Sequence, residues 1–407
     1  MRILVVGSGG REHALAWKLA QEHEVVCAPG NPGIAADVAT ASADDLLGLA
    51  KDFDLVVVGP EDPLVDGLAD RLREAGTPVY GPGADGARLE ASKAFSKDLM
   101  AEAGVPTAEF FTFHHADAAL EYARNRFAEG GRVAVKASGN ALGKGVVVCD
   151  GFEEAERAIQ EMMVDRLYGE AGATVVVEER LVGREFSLLT IVGDHGYFSL
   201  PVAQDHKRAL EGDQGPNTGG MGTVSPCPWV SGDLVRETED RVVAPILKEL
   251  RRRGIAYRGT LFSGLLVQAG TPYCLEYNVR FGDPETQSVM LRLGRGFGDA
   301  LYAVAMGGEI PPPEILDNAA ATVVVASGGY PGAYTKGLPI EIDDLPEGTK
   351  LFHAGTAVRD RRLVTNGGRV IGASAAGATP EEARSRAYAA AAAVRFEGAF
   401  YRRDIGV

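Results

Sequence analysis

Glu276-Tyr277-Asn278-Val279-Arg280-Phe281-Gly282-Asp283-Pro284-Glu285-Thr286-Gln287 follows an apolar run, residues 273–275, that reads as a strand. Residues two apart on a strand point to one face. Glu276, Asn278 and Arg280 therefore share a face, and Tyr277 and Val279 take the other. A carboxylate and an amide oxygen are hard ligands suited to Mg²⁺, which usually arrives with substrate phosphates. A guanidinium beside them can stabilise phosphoryl oxygens in transfer. Taken alone, the pattern equally describes a half-exposed strand with an ordinary salt bridge. The rest of the chain decides between the two.

Working outward, strands over 259–267 and 272–278, joined by Ala269-Gly270-Thr271, deliver this stretch. Before them lie a largely helical segment, 232–253, with a kink or break at Pro245, and two polar loops. The first loop is Gln204-Asp205-His206-Lys207-Arg208. The second, Gly215-Pro216-Asn217-Thr218-Gly219-Gly220-Met221-Gly222, is expected to be irregular, its glycines allowing close approach to a ligand. Further upstream, strands over 133–137 and 146–149 flank Ser138-Gly139-Asn140-Ala141-Leu142-Gly143-Lys144-Gly145. This loop fails the Walker A pattern: it is one residue short, has Gly145 where Ser or Thr should bind Mg²⁺, and leads into a strand. A glycine-rich flap between antiparallel strands describes it better, with Lys136 and Lys144 supplying charge for triphosphate oxygens. A flexible hairpin is the plainer alternative. A strand over 174–178 and a hairpin over 183–201 follow, with carboxylates Glu178, Glu179 and Glu185 at their edges.

The first hundred residues alternate strands (3–6, 24–28, 55–58, 79–80) with helices (11–21, 43–51 capped by Ser42, 64–75). That alternation predicts a parallel sheet with ligand loops beyond its carboxyl edge. Three loops fall there, at residues 7–10, 29–33 and 59–62. A dinucleotide motif is unsupported, because Glu12 replaces the third glycine and no ribose-binding acid ends the second strand. What remains is a glycine turn opening a helix, able to hold a phosphate or simply to turn the chain. One helix is expected over 87–103, closed by Gly104 and carrying Lys93 and Lys97 on one face. Beyond Pro311-Pro312-Pro313, a strand over 320–326, a hairpin about Asn366-Gly367-Gly368 and a helix from Thr379-Pro380-Glu381-Glu382 to about 395 predict a small separate unit.

Composition sets the frame. The chain has 407 residues, 45% hydrophobic and 24% charged, as in soluble multidomain proteins. A formal charge of −15 weighs against a broad nucleic-acid surface. The four cysteines are far apart and form no metal-ligand spacing, which predicts reduced thiols and a cytoplasmic protein. No signal peptide and no apolar run of membrane-spanning length is present, so no membrane partner is expected.

These motifs resemble those of the ATP-grasp enzymes, and specifically the phosphoribosylamine–glycine ligase (glycinamide ribonucleotide synthetase) family. The resemblance rests on GSGGREHA (7–14), PGNPG (29–33), VGPEDP (58–63), SKAFSK (92–97), QDHKR (204–208), GPNTGGMG (215–222), RFGDPETQ (280–287) and FHAGT (352–356), and covers essentially the whole chain. It implies an α/β and α+β multidomain protein. The expected parts are a Rossmann-like parallel-sheet domain (1–103), an ATP-grasp domain (104–315, with 122–193 as flap subdomain) and a small C-terminal α+β domain (316–407). It implies that ATP phosphorylates the carboxylate of glycine, and that the amine of 5-phosphoribosylamine displaces phosphate from glycyl phosphate, in purine biosynthesis. Other readings are a different ATP-grasp carboxylate–amine ligase, a catalytically silent ATP-binding homologue and, remotely, a dehydrogenase.

By the same resemblance, Glu276 and Asn278 hold Mg²⁺ or Mn²⁺, and Arg280, Lys136 and Lys207 are catalytic. Lys93, Lys136, Ser138, Gly139, Gly143, Lys144 and Gly145 hold the ATP phosphates, while Glu178, Glu179, Leu181 and Glu185 line its nucleoside. Gly9, Gly10, Asn31, Gly59, Pro60, Glu61, Asn217, Gly219, Gly220 and Met221 bind phosphoribosylamine, with Asp205 placed toward glycine. The small-molecule partners are ATP, glycine and phosphoribosylamine; the reading is compatible with a monomer and with transient contacts to neighbouring purine-pathway enzymes.

The flap departs from the family pattern K-A-D-G-L-A-A-G-K-G at Ser138, Asn140 and Leu142, and Arg180 stands where an aromatic is common. Both flap lysines remain. The expected outcome is retained activity with a shifted ATP KM. A Ser138→Asp, Asn140→Leu double variant with an unchanged ATP KM would overturn that expectation.

Overall fold

The computed structural model describes residues 1–139, 141 and 145–407. Its amino-terminal sheet has five parallel strands in the order Ala39–Thr40, Glu24–Pro29, Arg2–Gly7, Leu55–Val58, Val79–Tyr80. Strand Leu55–Val58 is buried along its whole length. Leu4, Val6, Val56 and Val58 enter one apolar core while Ile3, Val5, Leu55 and Val57 enter another. This is the two-sided burial that continuous aliphatic strands require.

Two four-stranded antiparallel sheets follow. One runs Phe110–Phe113, Val175–Glu179, Val133–Ala137, Val146–Cys149; the other runs Gly196–Ser199, Arg184–Gly193, Gly259–Gln268, Thr271–Asn278. The first packs on helices Ala116–Ala128 and Phe152–Ile159 around a core of its own. The fourth sheet orders Gln204–Asp205, Gly222–Ser225, Ala319–Ala326, Arg369–Gly377 and Thr349–His353, with helix Pro380–Ala392 against it. This sheet joins strands from both sides of residue 316. Gln214–Asn217 pairs with Arg208–Leu210, so the 215–222 loop is partly a bulged two-stranded ribbon rather than wholly irregular.

Several local expectations are corrected. The expected helix over 87–103 is two helices, Ala84–Ala91 and Lys93–Ala103, divided at Ser92, whose extended backbone and side-chain hydroxyl cap the second. Residues 64–75 also split, at Gly67, which has φ +75°. Asp45, not Ser42, caps the short helix Leu46–Leu49. Pro245 does not break its helix: a π turn, Glu239–Val243, lies immediately before Ala244–Arg252 and lets the ring sit at the start of a renewed α segment. Asn366-Gly367-Gly368 does not make the hairpin. Arg362–Thr365 pairs with Thr356–Arg359 through Asp360 and Arg361, both at positive φ, while Arg369–Gly377 pairs with other strands. Among the described residues no helix is long and apolar enough to cross a membrane, and the four cysteines are free and buried.

The carboxy-terminal sheet meets the amino-terminal sheet through a histidine cluster. The His353 amide donates to His13 Nδ1 (2.7 Å), leaving His13 Nε2 to pair with Asp37 (2.8 Å), which also holds Lys350 (2.6 Å). Burial, then the neighbouring His13 and Lys350, push His353 down to about 4; burial lowers His13 against the pull of Asp37. An unfolded histidine takes its proton at about 6.5, whereas native His353 resists until about 4. The unfolded chain therefore binds more protons in that window, and stability present above it is lost as pH falls through it. His353→Gln is predicted to flatten the rise of unfolding free energy with pH between about 4 and 6.5, measured by urea denaturation. An unchanged slope would refute the assignment.

Candidate functional site

A cleft of about 740 Å³ lies between the two antiparallel sheets and reaches Glu61 of the amino-terminal domain and the polar loops at 204–208 and 217–219. That volume suits a small-molecule site. Its floor is strand Thr271–Asn278, where Glu276, Asn278 and the following Arg280 line the cleft. Tyr277 and Val279 are buried behind them. A β-bulge sets this placement: Gly264 pairs with Glu276 and Leu265 with Cys274, leaving Leu275 unpaired. Leu275 and Glu276 consequently both face the cleft, and the Leu275 carbonyl accepts from Lys136 Nζ (3.3 Å). Bulges beside sites re-aim side chains in this way.

The electrostatics converge on that strand. Burial would raise the Glu276 carboxyl, but Lys207, Lys93, Lys136 and Arg280 outweigh it and hold it at about 2. Glu276 is thus ionised at neutral pH. Arg280 lies between Glu90 (2.7 Å) and Glu61 (3.4 Å). Burial disfavours its charge, yet Glu90, Glu61, Glu285 and Glu276 together raise its pKa. Glu90 also accepts the Val279 amide (2.7 Å), so one carboxylate fixes both backbone and side chain of this stretch. Arg11 connects the set to the first glycine turn, pairing with Glu12 (2.6 Å) and donating to the Phe281 carbonyl (3.1 Å).

The facing wall carries the lysines. Glu178 is buried between Lys136, in direct ion pair, and Lys97 (2.5 Å). Burial would raise Glu178, and the two lysines pull it below the ordinary carboxylate range. Lys93 lines the same wall with no carboxylate within ion-pair distance among the described residues. Burial lowers its pKa and Glu276 opposes that. Its helix starts against the flap root: the Lys93 amide donates to the Ser138 carbonyl (2.7 Å) and the Ala94 amide to Ser138 Oγ (3.1 Å). At the far end Lys207 reaches Glu185 (3.5 Å). Burial lowers Lys207, but Glu185, Glu276, Asp205 and Glu285 raise it above the ordinary range. Asp205 is raised by burial and by Glu285, and Ser187 donates to Glu285 (2.9 Å).

Many residues expected at the site do line the cleft: Lys93, Lys136, Gly145, Glu178, Glu179, Leu181, Glu185, Asp205, Lys207, Asn217, Gly219, Glu61, Glu276, Asn278 and Arg280. Glu178, expected at the nucleoside, is also the counter-ion of two lysines. Ser138 and Gly139 build the flap root, the Gly139 amide bonding Ala171. Gly143 and Lys144, with Asn140 and Leu142, lie outside the described residues.

Others expected at the substrate hold their own loops together. The Asn31 carboxamide is fully engaged, accepting from Gly33 and Ile34 and donating to the carbonyls of Ser8 and His353. The Gly9 amide donates to Glu12 (2.6 Å). Gly59 donates to Val6, and Pro60 caps a helix. Gly10 packs closely on Gln287 and Ala354. The Gly220 amide donates to Thr218. Met221 is wholly buried in the carboxy-terminal core with its amide on His206 and its carbonyl on Val324. Sequence reasoning placed Lys97 beside Lys93 but gave it no role, named Glu285 only as shaping the turn and orienting Arg280, and missed Glu90, Arg11 and Arg369. Only Lys97 carried a local signal, its four-residue spacing from Lys93.

Replacing Glu178 by Gln leaves two buried ammonium groups without their counter-ion, and such removals destabilise by about 3–5 kcal/mol. The expected result is a loss of that size for Glu178→Gln in equilibrium unfolding. A loss below about 1 kcal/mol, the range of exposed pairs, would show that the triad is not a buried ion cluster.

Comparison with known proteins adds family to geometry. Three family models tile the chain: the phosphoribosylglycinamide synthetase N domain (residues 1–90), the ATP-grasp (A) domain (91–286) and the C domain (320–407). A phosphoribosylamine–glycine ligase of Rhizobium meliloti is 46% identical, covering 100% of this chain and 98% of the relative. One from Pseudomonas aeruginosa is 42% identical over 100% and 97%. The crystal structure of the Thermotoga maritima phosphoribosylamine–glycine ligase superposes with a TM-score of 0.88 at 37% identity, covering all of both chains. A biotin carboxylase domain of Hydrogenobacter thermophilus, at 16% identity and TM-score 0.73, covers 98% of this chain and 91% of its own and shares the fold. On these matches, the chain belongs to the phosphoribosylamine–glycine ligase family of ATP-grasp proteins.

Proposed function

We propose that this chain is an ATP-dependent ligase that joins glycine to 5-phosphoribosylamine, giving glycinamide ribonucleotide, ADP and phosphate in purine biosynthesis. The observation that carries the reading is the polar face Glu276–Asn278–Arg280 opposed across one cleft by Lys93 and Lys136. Family membership identifies the substrates. A carboxylate does not form an amide directly, because oxide is a poor leaving group. A glycine carboxylate oxygen attacks the γ-phosphorus of ATP, and ADP departs. The amine then attacks the acyl carbon of glycyl phosphate, the C–O bond to phosphate breaks, and the amine nitrogen loses a proton.

No protein nucleophile is needed, so catalysis is positioning and electrostatic stabilisation. Lys93, without an ion pair among the described residues, and Lys136, fixed by Glu178 and the Leu275 carbonyl, neutralise ATP phosphates. Arg280, held between Glu90 and Glu61, stabilises the oxygens of the transferring phosphoryl group. Lys207, set among four carboxylates, remains charged to pair with the acyl phosphate. Glu179 and Leu181 line the nucleoside end of the cleft, with Glu185 toward the ribose. The first and third amino-terminal loops and the 217–219 loop surround phosphoribosylamine, and Asp205 lies toward glycine.

The ionised Glu276 and the Asn278 amide oxygen fit a Mg²⁺ or Mn²⁺ site of one carboxylate completed by substrate phosphates. When bound, the ion would neutralise charge on the ATP phosphates.

The test is ADP release with glycine and phosphoribosylamine added separately and together, repeated with Glu276→Gln. Full turnover is expected only with both substrates. Glu276→Gln should lose it by at least ~100-fold, the scale of removing one transition-state electrostatic group, while ATP still raises the melting temperature. Full activity of Glu276→Gln would sink the metal assignment, and turnover with another amine in place of phosphoribosylamine would sink the substrate assignment.

A further inference from the structure

Asp283 lines the cleft, but its position depends on a residue that does not. Arg369 opens strand Arg369–Gly377 of the carboxy-terminal sheet, 86 residues further along the chain. Its Nη2 pairs with Asp283 Oδ2 (3.1 Å), and its Nη1 donates to the Asp283 carbonyl (2.8 Å) and the Gly219 carbonyl (2.5 Å). Asp283 Oδ1 in turn accepts from Gln287 Nε2 (2.8 Å), and Gln287 packs on Gly10 of the first turn. The Asp283 carboxylate also faces Gly9 and Gly10. The Gly219 amide donates to Tyr330, another residue of the carboxy-terminal segment (3.0 Å). One guanidinium therefore fastens two glycine-bearing motifs, 215–222 and 280–287, and through Gln287 reaches a third, 7–14.

We infer that Arg369 is a positioning residue for the amine substrate: its fork onto Asp283 and the Gly219 carbonyl sets the wall of the cleft that receives phosphoribosylamine. The fork is suited to this. A guanidinium presents five donors in a fixed plane and satisfies a carboxylate and carbonyls together, whereas an ammonium supplies one point charge. Burial disfavours the charge of Arg369, but Asp283, Tyr330, Asp205 and Glu285 favour it. The pair is about one-fifth exposed at each partner, shielded enough for its geometry to be held. Among the described residues Arg369 does not line the cleft and bonds to no residue of the flap sheet or of Lys93–Ala103, so its influence falls on one substrate side. The inference rests on the placement of phosphoribosylamine proposed above, and a separate variant tests that placement.

The experiment measures apparent KM for ATP, glycine and phosphoribosylamine in the intact enzyme for Arg369→Ala, Arg369→Lys, Asp283→Asn and, as a probe of the placement itself, Asn217→Ala. Misplacement of about 1 Å can cost roughly 100-fold. Arg369→Ala is expected to raise the phosphoribosylamine KM at least ~10-fold on that basis, with the ATP KM within about twofold. Arg369→Lys, keeping charge without the fork, should recover only part of the loss, and Asp283→Asn should reproduce most of it. Stabilisation by ATP reports whether each variant is folded. A phosphoribosylamine KM unchanged in Arg369→Ala and Asp283→Asn while Asn217→Ala raises it overturns the inference and leaves the placement standing. No phosphoribosylamine effect in any variant overturns the placement as well. If Arg369→Ala does not fold, Asp283→Asn decides alone, and equal rises in all three KM values there would reduce Arg369 to a structural residue.

Discussion

Five cationic side chains, Lys93, Lys97, Lys136, Lys207 and Arg280, converge on one cleft, and the protein must keep them charged without substrate present. Burying an uncompensated ammonium costs several kcal/mol, and four of the five cations have a carboxylate placed by another element. Glu178 serves Lys97 and Lys136. Glu90 and Glu61 serve Arg280, and Glu185 serves Lys207. The balance is unequal, and the inequality carries the function. Lys97 and Lys136 are locked by a buried acid; Lys207 is held at 3.5 Å, and Lys93 has no ion pair among the described residues. On the proposed reading, locked charges would define where a polyphosphate lies, and loosely held ones would be free to meet it.

The backbone devices that bring these groups together are small. One unpaired residue, Leu275, lets the floor strand present Glu276, Asn278 and Arg280 in register while giving Lys136 a carbonyl. One break, at Ser92, begins a new helix at Lys93 instead of carrying it mid-helix. The same break brings the helix's first amides to Ser138, so the flap root and a phosphate-side lysine share a hydrogen-bonded joint. Ser138 differs from the family's usual aspartate, yet its hydroxyl still performs the acceptor role that a helix N-terminus asks of either residue.

Much of this was legible in the sequence. Strand–helix alternation and the aliphatic run at Leu55–Val58 implied the parallel sheet, because two-sided burial leaves no polar position. The two-residue period placed Glu276, Asn278 and Arg280 on one face, and they line one cleft. What was not legible depends on partners remote in the chain. Nothing around Glu90 marks it as the acid for Arg280, 190 residues on. The hairpin expected at Asn366-Gly367-Gly368 is also a failure of local reasoning. Asp360 and Arg361 accept positive φ because the surrounding strands fix the register, while Gly367 is required where its backbone packs on Gly355. Turn propensity locates permissive residues; tertiary contact decides which of them turn.

Some residues of the family-like motifs line the cleft and others hold the loops together, and the reason is physical. Asn31, Gly9, Gly59, Gly220 and Met221 all lie in the family-like motifs, and their described hydrogen bonds go to their own loops and to neighbouring strands. Glu12 shows why. Its carboxylate caps the Gly9 amide and its side chain fills the space that Cβ atoms at Gly7 and Gly59 would occupy, so two loops close over one acid. A glycine there is needed to make room for the acid, whether or not a ligand approaches. Binding groups in such a site are the donors left over after the loops have satisfied themselves. The specificity of the motif thus records the geometry of its self-packing as much as the shape of the substrate.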